Sequence, residues 1–269
     1  MASALSAAPE DNCVELEQVP EESALAAIEQ ELGARSGRIV SGINALRNQY
    51  PFYVFLVVKK STSSAMCGGS LLSSVWVLTA GHCLINAVTA NSFFGIIDKS
   101  VAEQSRSAAR FYKPPGYTDG RWWEQDIALV ELSSAVTFSS GVATIQLPPR
   151  SYVAYNYAGR ELTAIGFGYT LVDYPQYLKY VYLTGVTSAE CLAEHWVFTE
   201  KMFCGIGAGG YGGICSGDSG GPVTYKINGV QTLVGVTSFY NTCDKNPQGF
   251  SRVDSYLAWI SSQTGIALR

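Results

Sequence analysis

From Ile39 to its end the 269-residue chain reads as an all-β protein built of barrels and closed by one C-terminal helix. Three observations predict this. Tyr53 to Val58, Ser70 to Thr79, Glu161 to Phe167, Tyr180 to Val186, Pro222 to Ile227 and Val230 to Ser238 are rich in β-branched and aromatic residues. Gly and Pro punctuate them, and many short strands in a chain of this length suit barrels. Val253, Tyr256, Leu257 and Ile260 fall on one face of a helix, with Asp254 and Ser255 near its start.

The elements follow in order. Val77-Leu78-Thr79-Ala80-Gly81-His82-Cys83 places a histidine at the end of an apolar, strand-like run. Asp126 opens a second such run, through Leu132. Ser133-Ser134-Ala135 and Pro148-Pro149 mark connections.

Composition is that of a globular protein with a large core, 47% hydrophobic and 15% charged. No apolar run approaches the roughly 20 residues of a membrane span. The net charge of −4 is unevenly spread: residues 1–38 hold eight acidic and two basic residues, and the rest holds sixteen basic and fourteen acidic. No basic tract suits nucleic acid, and no membrane association is expected. Residues 1–38 contain no aromatic residue. Ser23 to Leu32 can form a short helix ended by Gly33; the alternative is a flexible acidic arm. Met1 to Ala8 lacks the basic start and long apolar stretch of a signal peptide.

Chemistry concentrates in Gly217-Asp218-Ser219-Gly220-Gly221-Pro222. Glycines build a tight turn whose amides converge, and a serine held there can act as a nucleophile with its oxyanion on backbone N–H groups. In isolation such a run is more often a surface turn. Gly217-x-Ser219-x-Gly221 also fits a nucleophile elbow, but that class needs a His after the Ser. The only histidines are His82 and His195, and both come earlier. An acid-first order leaves only Asp11 as an aspartate ahead of His82, in a segment read as removed, and His195, which follows several, lies in a polar stretch with no turn signal. The order His82, Asp126, Ser219 remains. Alone, His82 is a structural histidine and Asp126 a strand-start acid; coincidence of all three is improbable.

The chain resembles the chymotrypsin-like (trypsin-fold) serine endopeptidases. Thr79-Ala80-Gly81-His82-Cys83, Asp126-Ile127-Ala128-Leu129, Gly217 to Pro222, Arg38-Ile39-Val40-Ser41-Gly42 and Cys67-Gly68-Gly69-Ser70-Leu71 carry the resemblance, which covers residue 39 onward. It implies two six-stranded antiparallel β-barrels, split near residues 135–150, with the site between them. It implies His82, Asp126 and Ser219 as catalytic residues and the Gly217 and Ser219 amides as the oxyanion hole, the roles that members of this family share. It also implies an activation propeptide, 1–38, cut after Arg38 by a trypsin-like protease. The new Ile39 ammonium would then pair with Asp218 and reorganise the loops around Ser219.

Seven cysteines leave one over. The resemblance implies Cys67–Cys83, Cys191–Cys204 and Cys215–Cys243, hence an extracellular, secreted protein. Cys13 is the remainder, free or bridging to another molecule. The expected primary pocket contains Gly213, Ile214, Ser238, Phe239, Tyr240 and Gln248. Ser238 corresponds to the serine that bonds the catalytic Asp, and its segment pairs with substrate. Gly213 replaces the acid of trypsin-like relatives, so cleavage after Lys or Arg is not expected. The closing Gly249-Phe250-Ser251-Arg252-Val253 resembles the brachyurin-like branch. Bulky apolar or aromatic P1 is preferred, with small aliphatic P1 as runner-up because Tyr240 and Gln248 narrow the pocket. Ile96 stands where a calcium carboxylate would be, so no metal and no cofactor are expected. Trp122 and Trp123 read as loop packing and His195 as a surface residue. The expected partners are a protein or peptide substrate, the activating protease and protein inhibitors; the chain is expected to be a monomer. A non-catalytic homologue acting as a binding module and an esterase of small esters are the competing classes. The triad is intact, which argues against the first, and a protein-substrate assay separates the second.

Overall fold

The computed structural model describes residues 14–17, 42–195 and 197–269. The helix expected over Ser23 to Leu32, Cys13, Arg38 and Ile39 lie outside the described residues. The strands are β1 (Val14–Glu17), β2 (Ile43–Asn44), β3 (Tyr53–Lys60), β4 (Ser63–Leu71), β5 (Trp76–Thr79), β6 (Ala87–Phe94), β7 (Gln104–Tyr112), β8 (Ala128–Leu132), β9 (Glu161–Gly166), β10 (Lys179–Gly185), β11 (Met202–Gly207), β12 (Pro222–Ile227), β13 (Val230–Phe239) and β14 (Gln248–Arg252). Two α-helices accompany them, α1 (Ser188–Glu194) and α2 (Leu257–Thr264).

The first barrel runs β4-β3-β6-β7-β8-β5 and closes where β5 returns to β4, with Ser70 opposite Leu78. The second runs β11-β14-β13-β12-β9-β10 and closes between β10 and β11. Both are six-stranded and antiparallel. Closure removes the unpaired strand edges that an open sheet exposes. Each barrel carries one added strand. β1 lies along β4, with Val14 opposite Met66, and β2 lies along β10, with Ile43 opposite Tyr180. The chain crosses between the barrels from Ser133 to Arg160.

The core explains the pattern. Tyr53 through Val58 in β3 are all buried, so the strand reads as a continuous apolar run rather than an alternation. Phe167, from the second half of the chain, enters this core edge-on to Tyr53 and Phe55, at 5.7 and 5.5 Å between ring centres. The two barrels therefore share apolar packing beside the crevice.

Several elements differ from expectation. Ser70 to Thr79 is not one strand: β4 ends at Leu71 and β5 starts at Trp76. Ser73 Oγ accepts the Val75 N–H there, a side-chain bond that favours a turn over a ladder. β6 and β7 carry no strong sequence signal, because β7 is polar and largely exposed. α1 starts with a capping box, Thr187 and Glu190 bonding each other's amides. That Thr-x-x-Glu spacing was readable. The terminal helix starts as a 3₁₀ turn, Val253–Tyr256, and ends at Gly265 in the left-handed region.

The barrel connection is pinned to the terminal turn by a buried ion pair. Arg252 Nε lies 3.1 Å from Asp254 Oδ1, while the Ala154 N–H donates to Asp254 Oδ2 at 2.7 Å. Removing one partner strands the other charge out of water, so Asp254→Ala is expected to cost about 3–5 kcal/mol of stability. Denaturant unfolding measures it.

Candidate active site

His82 follows β5 in a short 3₁₀ turn, His82–Leu84, and Cys83 is bridged to Cys67 in β4. The turn is thereby tied to the neighbouring strand on both sides. Asp126 sits two residues before β8 and is buried, as is His82. A carboxylate without water must be hydrogen-bonded on each oxygen. Asp126 Oδ1 accepts the His82 main-chain N–H at 2.9 Å. Its Oδ2 lies 2.7 Å from His82 Nδ1 and accepts the Ser238 hydroxyl at 2.5 Å. The Ser251 hydroxyl donates to the Asp126 main-chain oxygen at 2.6 Å. Asp126 is thus held by the first barrel and by β13 and β14 of the second. With Asp126 as acceptor the imidazole proton resides on Nδ1, which leaves Nε2 as the basic nitrogen.

Ser219 lies in a turn whose glycines are demanded by its geometry. Gly217 and Gly220 have φ of 93° and 77°, the left-handed region that favours glycine. A β-carbon on Gly220 would also stand 2.2 Å from Thr79 Oγ1. The Ser219 carbonyl accepts the Gly68 N–H at 2.7 Å, and the Gly220 N–H donates to Thr237 O at 2.8 Å. A turn built by the second barrel therefore docks on β4 and β5, beside the strand that leads to His82. Ser219 itself is 1% exposed.

Asp218, next to it, is fully buried. Gly168 N–H donates to its Oδ1 at 2.7 Å and Cys215 N–H to its Oδ2 at 3.0 Å. Burial pushes its carboxyl up to about 7, against the pull of those two amides and of the Lys99 charge.

Three of the expected pocket residues, Gly213, Ile214 and Gln248, come together, while Ser238 bonds Asp126 and Phe239 packs on His195. Gln248 turns its amide onto Gly213 and Ile214: Oε1 accepts the Ile214 N–H at 2.7 Å, and Nε2 donates to Ile214 O at 3.2 Å and Cys243 O at 3.3 Å. A β-carbon on Gly213 would stand 2.1 Å from Gln248 Oε1. Tyr240 reaches Ser216, hydroxyl to hydroxyl, at 2.6 Å. Bridges Cys215–Cys243 and Cys191–Cys204 tie the same region together.

One residue, His195, was misjudged from sequence. Trp122 does pack in its loop, but its ring stands 4.8 Å from that of His82, tilted by 52°. His195 is not on the surface. It is buried, stands edge-on to Phe239 at 4.8 Å, and its Nε2 contacts Pro247 O at 2.5 Å. The polar stretch around it suggested exposure, but its cover comes from distant residues. Among the described residues no cluster could hold a metal ion, and no helix is long and apolar enough to cross a membrane. Ile96 lies in the core.

A double barrel with a buried His–Asp pair and a serine-bearing turn docked across the crevice defines the serine endopeptidase class. Comparison with known proteins agrees. The Trypsin family model matches residues 39–260. Chymotrypsin-like elastase family member 1 of Canis lupus familiaris is 31% identical over 251 residues, covering 87% of this chain and 95% of that protein. The collagenase of Hypoderma lineatum is 29% identical, covering 86% and 89%. A solved HL collagenase structure superposes with a TM-score of 0.78 at 28% identity, covering 86% of this chain and all of that one. The chain belongs to the trypsin family, and it is a serine endopeptidase.

Burial holds the His195 pKa below that of a free imidazole, against the pull of the Pro247 carbonyl and Glu194. The unfolded chain then binds this proton more readily than the folded one, so the native state loses stability as pH falls below about 6.5. His195→Gln is expected to flatten that limb, read from melting temperature against pH.

Proposed function

We propose that the chain is a secreted peptidase made as a precursor that cleavage activates. Residues 1–38 are the propeptide and residues 39–269 the peptidase. Ser219 Oγ attacks the substrate carbonyl, His82 Nε2 takes its proton and returns it to the leaving amine, and Asp126 orients the imidazole and stabilises its charged form. The Gly217 and Ser219 amides hold the oxyanion. The single observation that carries this reading is the Asp126 carboxylate, bonded at once to His82 Nδ1, the His82 amide and Ser238. The disulfides support secretion, since such bridges persist in oxidising compartments. Cleavage of Arg38–Ile39 would supply Asp218 with the ammonium that its burial favours. Substitution Ser219→Ala should abolish peptide hydrolysis while leaving the unfolding midpoint near that of the parent; retained turnover would refute the assignment.

We further propose a neutral P1 pocket that takes small aliphatic residues ahead of the bulky aromatic ones that sequence alone ranked first. The contact of Gln248 with Gly213 and the Tyr240 bond to Ser216 support a pocket narrowed at both of these positions. A side chain must fit above the one and past the other. The names of the elastase relatives support the same reading. In a panel of peptides differing only at P1, Ala and Val are expected to exceed Phe by about 10-fold or more in kcat/KM, the scale set by a few methylenes. Preference for Phe would restore the aromatic reading, and preference for Arg would sink both.

A further inference from the structure

Lys99 is a buried lysine, 2% exposed, in the turn between β6 and β7. That turn is latched to the second half of the chain: Lys99 N–H donates to Gln176 O at 3.0 Å and Leu178 N–H to Ile97 O at 2.8 Å. The lysine stem is thereby directed inward. Its ammonium lies 5.5 Å from the centre of the Phe167 ring and 5.6 Å from that of Tyr174. Phe167 stands between Gly166 and Gly168, and both glycines enclose the Asp218 carboxylate. A β-carbon on either would be 2.1 Å from one of its oxygens. The ring that carries the lysine charge is therefore flanked by the backbone that cradles the acid.

A buried ammonium and a buried carboxylate each favour an opposite charge close by. Among the described residues, the titratable groups acting on Asp218 come from three directions, beside the Gly168 and Cys215 amides. They are Lys99 from the first-barrel turn, Tyr53 from β3 and Tyr174 from the loop before β10. Of these, only Lys99 is positive, and its charge draws the Asp218 carboxyl down against burial.

We propose that Lys99 is a positioning residue that supplies positive charge to Asp218 while the Arg38–Ile39 bond is intact, so that the Ser219 turn is organised before cleavage. This rests on the precursor reading above. On this account the Ile39 ammonium adds to a charge already in place. The uncut chain then has measurable activity, and cutting it raises that activity instead of creating it.

The test compares an Arg38→Gln chain with the processed enzyme, each with Lys99, Lys99→Met or Lys99→Arg, on one peptide substrate. In the uncut chain Lys99→Met is expected to lower kcat by about tenfold, the effect of roughly one pKa unit of charge interaction, with KM little changed and Lys99→Arg close to the parent. In the processed enzyme the fall should be no more than about threefold, because the ammonium of Ile39 then serves Asp218. Equal falls in both forms, no fall in either, or an uncut Lys99 chain without turnover would each overturn the proposal. A second readout is independent of turnover. With its folded pKa raised, Asp218 makes the uncut chain lose stability as pH rises from about 4 to about 7. Lys99→Met should extend that decline to higher pH; an unchanged profile overturns the proposal. Equal activity of the uncut and processed parents would overturn the precursor reading alone, leaving the pH profile to decide the role of Lys99.

Discussion

The structure depends on one carboxyl group kept from water. Asp126 has its oxygens occupied by the amide and Nδ1 of His82 and by the Ser238 hydroxyl, and its main chain is held by Ser251. His82 follows β5 of the first barrel, whereas Ser238 and Ser251 lie in β13 and β14 of the second. A buried carboxylate is tolerated only where such donors converge. The two barrels must therefore meet in one register for the acid to be satisfied. The imidazole tautomer that suits base catalysis follows from that same packing, and needs no further device.

The serine turn obeys a related constraint. It is made by the second barrel but rests on the first, through the Gly68 amide and the close approach of Gly220 to Thr79. Side chains would not fit at that contact, and positive φ at Gly217 and Gly220 would strain them in any case. Phe167 adds apolar cohesion across the same seam by entering the core against Tyr53 and Phe55. Polar contacts fix the geometry there, and ring packing resists its opening.

What could be read from the sequence was what local sterics and chemistry dictate. The Gly217 to Pro222 turn, the histidine beyond an apolar strand and the acid at a strand mouth are short-range patterns. So are the heavily apolar β3 and the terminal helix, whose Val253 and Ile260 are fully buried. What could not be read depends on distant parts. β7 is stabilised by pairing with β6 and β8 and not by its own composition. His195 is surrounded by polar neighbours in sequence, yet Phe239 and Pro247 cover it. Lys99 looks like any loop lysine until Phe167 and Tyr174 close over it. The turning of the Gln248 amide onto Ile214 and Cys243 was not legible in the sequence.

On the pocket proposed above, that glutamine also constrains how the site can evolve. Its amide caps one main-chain N–H and two carbonyls. A lineage that shortened residue 248 to gain depth would leave those three groups needing solvent. The deeper cavity would fill with water, and a large apolar guest would have to displace it from polar walls. Depth and dryness are therefore opposed at this position. A change of substrate taste here requires compensating substitutions, and isolated widening is a poor first step along such a path.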